Sequence, residues 1–184
     1  MSNTLSNMLP LGLKAHDFNL QDAVSQEIKS LNTLKGQMAT VIMFICNHCP
    51  FVLHVNKTLV TLANKYIDKG VGFVAISSND VVNYPQDSPE LMAVQAQKLR
   101  YPFPYLYDET QEVAKAYQAA CTPDFFVFDA ELKLAYRGQF DASRPNNGIP
   151  VTGKDLSKAL DLILENKPVD FEQKPSIGCN IKWK

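Results

Sequence analysis

Apolar residues follow two alternating patterns along the chain, short unbroken runs and longer stripes of helical period. Val41-Ile42-Met43-Phe44-Ile45 is a short apolar run, β-branched at its start, which predicts a strand buried on both faces. From Pro50 to Lys69 the spacing of Val52, Val55, Leu59, Leu62 and Tyr66 predicts an amphipathic helix, stopped by Gly70. Val71 to Ile76 reads as a second buried strand, so a right-handed parallel crossover is expected. Ser88-Pro89-Glu90 has the form of a helix start, a capping serine with proline in the first turn, and leads into Leu91 to Leu99. Tyr101 to Tyr107 holds two prolines and reads as extended. Asp108 with Gln111 predicts a capping box for a helix to about Ala119. Phe125 to Phe128 and Leu134 to Phe140 read as antiparallel strands joined by a turn at Asp129-Ala130-Glu131. Thr152 and Asp155 begin a last helix with Leu156, Leu160, Ile163 and Leu164 on its stripe. Residues 11–35 read as short strands or a hairpin, and the tail after Pro168 has no periodicity. The order predicts an α/β sandwich around a mixed sheet, in one domain over 1–184 with a tail at 168–184.

Composition narrows the function classes. The 184 residues are 46% hydrophobic and 20% charged with a net charge of −1, as in an ordinary globular protein. No run reaches the ~18–20 apolar residues of a membrane span, so no membrane partner is expected. Without a basic cluster, nucleic acid is not an expected partner either. Met1 to Leu13 has no apolar h-region, so a secretory signal is not expected and a cytoplasmic location is. Four cysteines are too few for a disulfide scaffold. The Cys46-x-x-Cys49 spacing points instead to redox chemistry or metal.

That pair sits where a buried strand hands over to a helix, whose unpaired amides and dipole stabilise a thiolate. A thiol so placed can be lowered from ~8.5 into the range ~3.5–7.5. Pro50 suits the first helical position, which makes Cys49 the N-cap residue. Were Cys46 the N-cap, Pro50 would fall at the fourth helical position and remove the first intrahelical hydrogen bond. Cys49 is therefore favoured as the attacking thiol and Cys46 as its resolver. His48 either tunes a thiol or satisfies a loop hydrogen bond. Ser78-Asn79-Asp80 ends a strand on the carboxyl edge, where α/β sheets place their sites. His54 reads as a solvated helix residue and His16 as a turn residue.

Phe44-Ile45-Cys46-Asn47-His48-Cys49-Pro50-Phe51-Val52 after a strand resembles the active-site region of the thioredoxin superfamily. Ala120-Cys121-Thr122-Pro123 resembles its cis-proline loop, and Ala15-His16-Asp17-Phe18 with Leu34-Lys35-Gly36 resembles the alkyl hydroperoxide reductase/thiol-specific antioxidant branch. The nearest likeness, over about residues 10 to 165, is to the peroxiredoxin-like group of thioredoxin-fold proteins. The tail Gly178-Cys179-Asn180-Ile181-Lys182-Trp183 is also similar to that group. The resemblance implies a thioredoxin-like sandwich with a mixed central sheet, an N-terminal β-hairpin extension and helices on both faces. It also implies that the loop at Thr122 and Pro123 faces substrate. Cys121 is then a second candidate resolver, and Cys179 is an exposed thiol, a late resolver or a packed cap. Arg137 and Arg144 are either thiolate-tuning and anion-binding groups or ordinary ion-pair residues. Residues 141–148 are expected beside the redox loop. No cofactor or metal is expected.

Departures from the family patterns shape the function. If Cys49 opens a thioredoxin motif, Val52 stands where the second cysteine belongs. Peroxiredoxins carry Thr or Ser three residues before the peroxidatic cysteine and Pro seven before. Counting back from Cys49 finds Cys46 and Ile42, and from Cys46 finds Met43 and Ala39. The leading reading is a thiol-disulfide oxidoreductase acting on a protein or small-molecule disulfide with a thiol reductant. The alternatives are a thiol peroxidase with antioxidant activity on peroxide, and a cysteine-based zinc or interaction module.

Overall fold

The computed structural model describes residues 3–184. Its strands are β1 (Asn3–Leu5), β2 (Asn19–Asp22), β3 (Ile28–Ser30), β4 (Ala39–Phe44), β5 (Val71–Ser77), β6 (Tyr105–Tyr107), β7 (Cys121–Thr122), β8 (Asp124–Asp129), β9 (Leu134–Gly138) and β10 (Ile177–Asn180). Its helices are α1 (Leu31–Leu34), α2 (Pro50–Ile67), α3 (Pro89–Leu99), α4 (Glu112–Ala116) and α5 (Lys154–Leu164). The main sheet runs β3-β2-β6-β5-β4-β8-β9, parallel at β4–β5 and β5–β6 and antiparallel elsewhere. A second small sheet, β1-β10-β7, is antiparallel throughout.

Alternation along the central strands explains their unbroken apolar runs. Val41, Met43, Phe125 and Val127 face one core with Leu59, Leu62, Leu156 and Leu160 of α2 and α5. Ile42, Phe44, Phe126 and Phe128 face the other, with Leu31, Ala114 and Tyr117. Both faces are covered, so neither requires polar residues. Each such buried side chain contributes roughly 1.5–3 kcal/mol, which holds α2 across the sheet more firmly than helix propensity does. Among the described residues, no helix is long and apolar enough to cross a membrane.

Boundaries shift where distant groups take over a local cap. Ser88 caps α3 as expected, its hydroxyl accepting the Leu91 amide at 3.4 Å. The helix expected to follow Asp108 directly begins only at Glu112, after Gln111 in the left-handed region at φ 65°. Asp108 is buried, and one carboxylate oxygen accepts the Ser78 hydroxyl at 2.8 Å and the Ala114 amide at 2.9 Å. The last helix begins at Lys154 after Gly153, whose amide and that of Thr152 donate to Asp141 at 2.7 Å each. β9 ends at Gly138, two residues before Phe140, where the Gln139 amide turns to the Lys174 carbonyl at 2.8 Å. The tail, which has no periodicity, carries β10, and Asn3–Leu5 adds β1 beside it. A strand this short shows no period of its own.

Arg137, a candidate thiolate-tuning residue, is fully buried. Its guanidinium forms a two-pronged pair with the equally buried Asp124 and lies 3.8 Å from the centre of the Phe126 ring. Asp124 immediately follows Pro123 and also accepts the Ala120 amide at 3.2 Å, so the pair clamps the cis-proline loop from behind. Arg137→Met should lower unfolding stability by about 3–5 kcal/mol in urea melts, because it strands a buried carboxylate. Adding Asp124→Asn should recover part of that loss; no recovery would mean that Arg137 acts through packing alone.

Candidate active site

Strand β4 delivers Cys46 to the carboxyl edge of the sheet, and the turn 46–48 delivers Cys49 to the N-cap of α2 with Pro50 in its first turn. The chain meets the opposite wall at a cis Thr122–Pro123 bond. As a thiol, Cys49 donates to the Thr122 carbonyl at 3.1 Å, and the Cys46 sulfur lies 3.5 Å from the Thr122 hydroxyl. The third wall is β10, whose Cys179 sulfur stands 2.9 Å from that of Cys49. Cys49 and Cys121 are 0% exposed, Cys46 1% and Cys179 3%. All four are thiols.

Negative charge is concentrated on one sulfur. Hydrogen bonding from Cys46 is the largest influence lowering the Cys49 thiol to about 5, against the opposing cost of burial. Cys179 and Thr122 donate further, and the Val52 amide adds the smallest pull, without closing a full capping hydrogen bond on the sulfur. Cys46 is pushed well up by holding its proton for Cys49, by burial and by the charge of Asp87. Burial first, and then the Cys49 thiolate, push Cys179 up to about 12. Burial also raises Cys121, whose sulfur points back at the Pro123 carbonyl. These thiols titrate as a coupled set whose charge resides on Cys49.

The AhpC/TSA family pattern matches residues 11–137. The chain belongs to the AhpC/TSA family. An uncharacterized conserved protein from Geobacillus kaustophilus is similar at 62% identity, covering 100% of this chain and 97% of its own, with a TM-score of 0.98. A hypothetical protein from Sinorhizobium meliloti 1021 follows at 47% identity, 98% coverage of both chains and a TM-score of 0.96. The peroxidoxin BcpB of Mycobacterium tuberculosis shares the fold at 19% identity and a TM-score of 0.63, over 86% of this chain and 98% of its own. No curated protein matches. The sheet order and the helices on both faces are those of a thioredoxin-like fold.

Other expected site residues of this AhpC/TSA chain have different surroundings. The His48 ring makes a loop hydrogen bond, Nδ1 to Asp87 at 2.6 Å, and stacks on Tyr84. Asp87 also accepts the Asn47 and His48 amides and the Asn79 side chain. Nothing in the sequence near Asp87 announces this role, because Ser88-Pro89 reads only as a helix start. Arg144 donates to the carbonyls of Asp141 and Ser143 and to the Gln139 side chain. Among the described residues, neither Arg137 nor Arg144 hydrogen-bonds a cysteine sulfur. Loop 141–148 does lie beside the redox loop: Ser143 and Arg144 line a small cavity with Phe51, Pro123 and Ile177. His54, expected to be solvated, instead meets the Ser143 hydroxyl at 2.7 Å. His16 is exposed, edge-on to Tyr117.

A metal reading fares less well. Among the described residues, Cys46, His48 and Asp87 are the one group of three metal-ligating side chains with ligand atoms within 4.8 Å of one another, and the four cysteines form none. The Asp87 oxygens in that group already accept four hydrogen bonds. Hydrogen bonding to Cys49, burial and the charge of Asp87 together raise Cys46, which favours a thiol where a metal would need a thiolate.

In reduced protein, thiolate ultraviolet absorbance should titrate with a midpoint of about 5. Cys49→Ser should abolish that step, and Cys46→Ala should move it upward by removing the principal donor. The folded value lies below the ~8.5 of an unfolded thiol. The resulting stability is therefore present above the unfolded value and is lost as pH falls toward about 5. The stability gap between wild type and Cys49→Ser should close on acidification; a gap constant with pH would contradict the thiolate.

Proposed function

We propose that this chain is a thiol-disulfide oxidoreductase whose nucleophile is Cys49. The observation that carries the reading is the surroundings of that sulfur: an N-cap position, donors on three sides and the Thr122–Pro123 loop at 3.1 Å. A thiolate with a value near 5 is present almost in full at neutral pH. It attacks one sulfur of a substrate disulfide, breaking the S–S bond, forming a mixed disulfide and expelling a thiolate that takes a proton from water. A second thiol of the site then displaces the substrate from Cys49, and an external thiol reductant restores the pair. No cofactor enters this cycle. Cys46 supports the nucleophile by holding a proton against it, a role distinct from the resolver expected for it. Thr122 and Pro123 form the wall against which the substrate sulfur is presented.

Membership of the AhpC/TSA family makes peroxide the competing oxidant. Neither a hydroxyl residue nor a proline stands at the peroxide-activating positions counted from either cysteine. Turnover of a small disulfide in the presence of a thiol reductant should be lost to background in Cys49→Ser and retained in Cys121→Ser. Full activity of Cys49→Ser would falsify the assignment. In parallel, one equivalent of peroxide should consume Cys49 no faster than a free thiol of matched acidity. Much faster loss would make the chain a thiol peroxidase instead.

A further inference from the structure

The sheet edge at Thr122 is already occupied. β10 lies antiparallel on β7, with Cys179 opposite Thr122 and Asn180 opposite Cys121. This is the edge of the cis-proline loop, where the thioredoxin-like resemblance places an extended substrate. The approach is built for glycine: a Cβ on Gly178 would stand 2.0 Å from the Thr122 carbonyl oxygen. The strand is also pinned at both ends. The Ser176 amide donates to the Ser6 hydroxyl at 2.9 Å, and the Ile181 amide to the Ala120 carbonyl at 3.1 Å. Beyond it, the Lys182 amide donates to Asn79 at 2.9 Å, and the Lys182 carbonyl accepts from Gln111 at 2.8 Å. This register brings the Cys179 sulfur to 2.9 Å from Cys49, against ~2.05 Å for a covalent bond.

We propose that β10 is a built-in substrate strand, filling the Thr122 edge and presenting Cys179 as the thiol that closes a disulfide with Cys49. The proposal rests on the exchange chemistry of Cys49 and names its second thiol and its substrate class. An extended polypeptide finds no open edge at Thr122, so the fitting oxidant is a low-molecular-weight disulfide. The Cys49 thiolate attacks RS–SR, forming Cys49–S–S–R and releasing RS⁻, which is protonated by water. Loss of the thiolate removes the charge that helps hold the Cys179 proton in place. The Cys179 sulfur then attacks Cys49 and expels a second RS⁻, which takes up the Cys179 proton by way of water. Two protein thiols have lost two electrons in all, and RS–SR has become two RSH.

Full-length reduced protein, equilibrated in graded mixtures of oxidised and reduced glutathione, acid-quenched, alkylated and peptide-mapped, tests this pairing. The Cys49–Cys179 linked peptides should dominate the oxidised wild type and persist in Cys46→Ser. In Cys179→Ser they should be lost, and a Cys49–glutathione mixed disulfide should accumulate. Initial oxidation should be faster with oxidised glutathione than with the homodisulfide of an extended cysteine peptide. A Cys49–Cys46 or Cys49–Cys121 linkage in the wild type overturns the pairing, as does Cys179 remaining alkylatable after Cys49 is oxidised. Faster oxidation by the peptide disulfide overturns the built-in strand. Cys49 remaining alkylatable across the whole series overturns the exchange reading itself, and the pairing with it.

Discussion

The contact on which the site depends is the passage of the Gly178 backbone against the Thr122 carbonyl, too close for any side chain. It sets the register of β10, and the register brings one sulfur against another across 130 residues of chain. That contact is held from behind by the Arg137–Asp124 pair at the base of the cis-proline loop. It is held from the front by the tail's hydrogen bonds to Ala120, Asn79 and Gln111. Both sets of restraints hold the backbone, so the fold fixes where the Cα atoms of Cys49 and Cys179 face each other.

Within this frame, electrostatics separates thiols that composition alone leaves equivalent. Three buried sulfurs cannot all ionise within contact of one another, because each added charge would have to be desolvated beside the first. Cys49 has the helix N-terminus and the donors. Cys46 holds its proton because it donates to Cys49 and is buried, with the charge of Asp87 adding to both. The result is one charged sulfur, that of Cys49, with neutral donors around it.

Much of this was legible in the chain. The unbroken runs at 41–45, 71–76 and 125–128 are strands because both faces of the sheet are covered. The position of Pro50 correctly made Cys49 the N-cap of α2. The cis bond at Thr122–Pro123 was expected from resemblance and is present. Where the chain left alternatives open, or where a local cap was expected, distant partners decided. Asp108 reads as a direct cap but is turned inward by Ser78; of the two readings open for Arg137 and for His48, the ion pair with Asp124 and the loop hydrogen bond to Asp87 are the ones present.

The order of residues is enough to dictate the alternation of strands and helices, the placing of a cysteine at a helix N-terminus and the family the chain belongs to. The first two are written in spacing within a few residues, where propensity, period and capping operate, and the third in the match over residues 11–137. The surroundings of that cysteine come from the folded chain instead. Residues 3–5 and 177–180 show no period, and their pairing with Thr122 depends on backbone hydrogen bonds between segments far apart in the chain. The tail therefore shows no periodicity in sequence, yet its Cys179 stands against Cys49 in the fold.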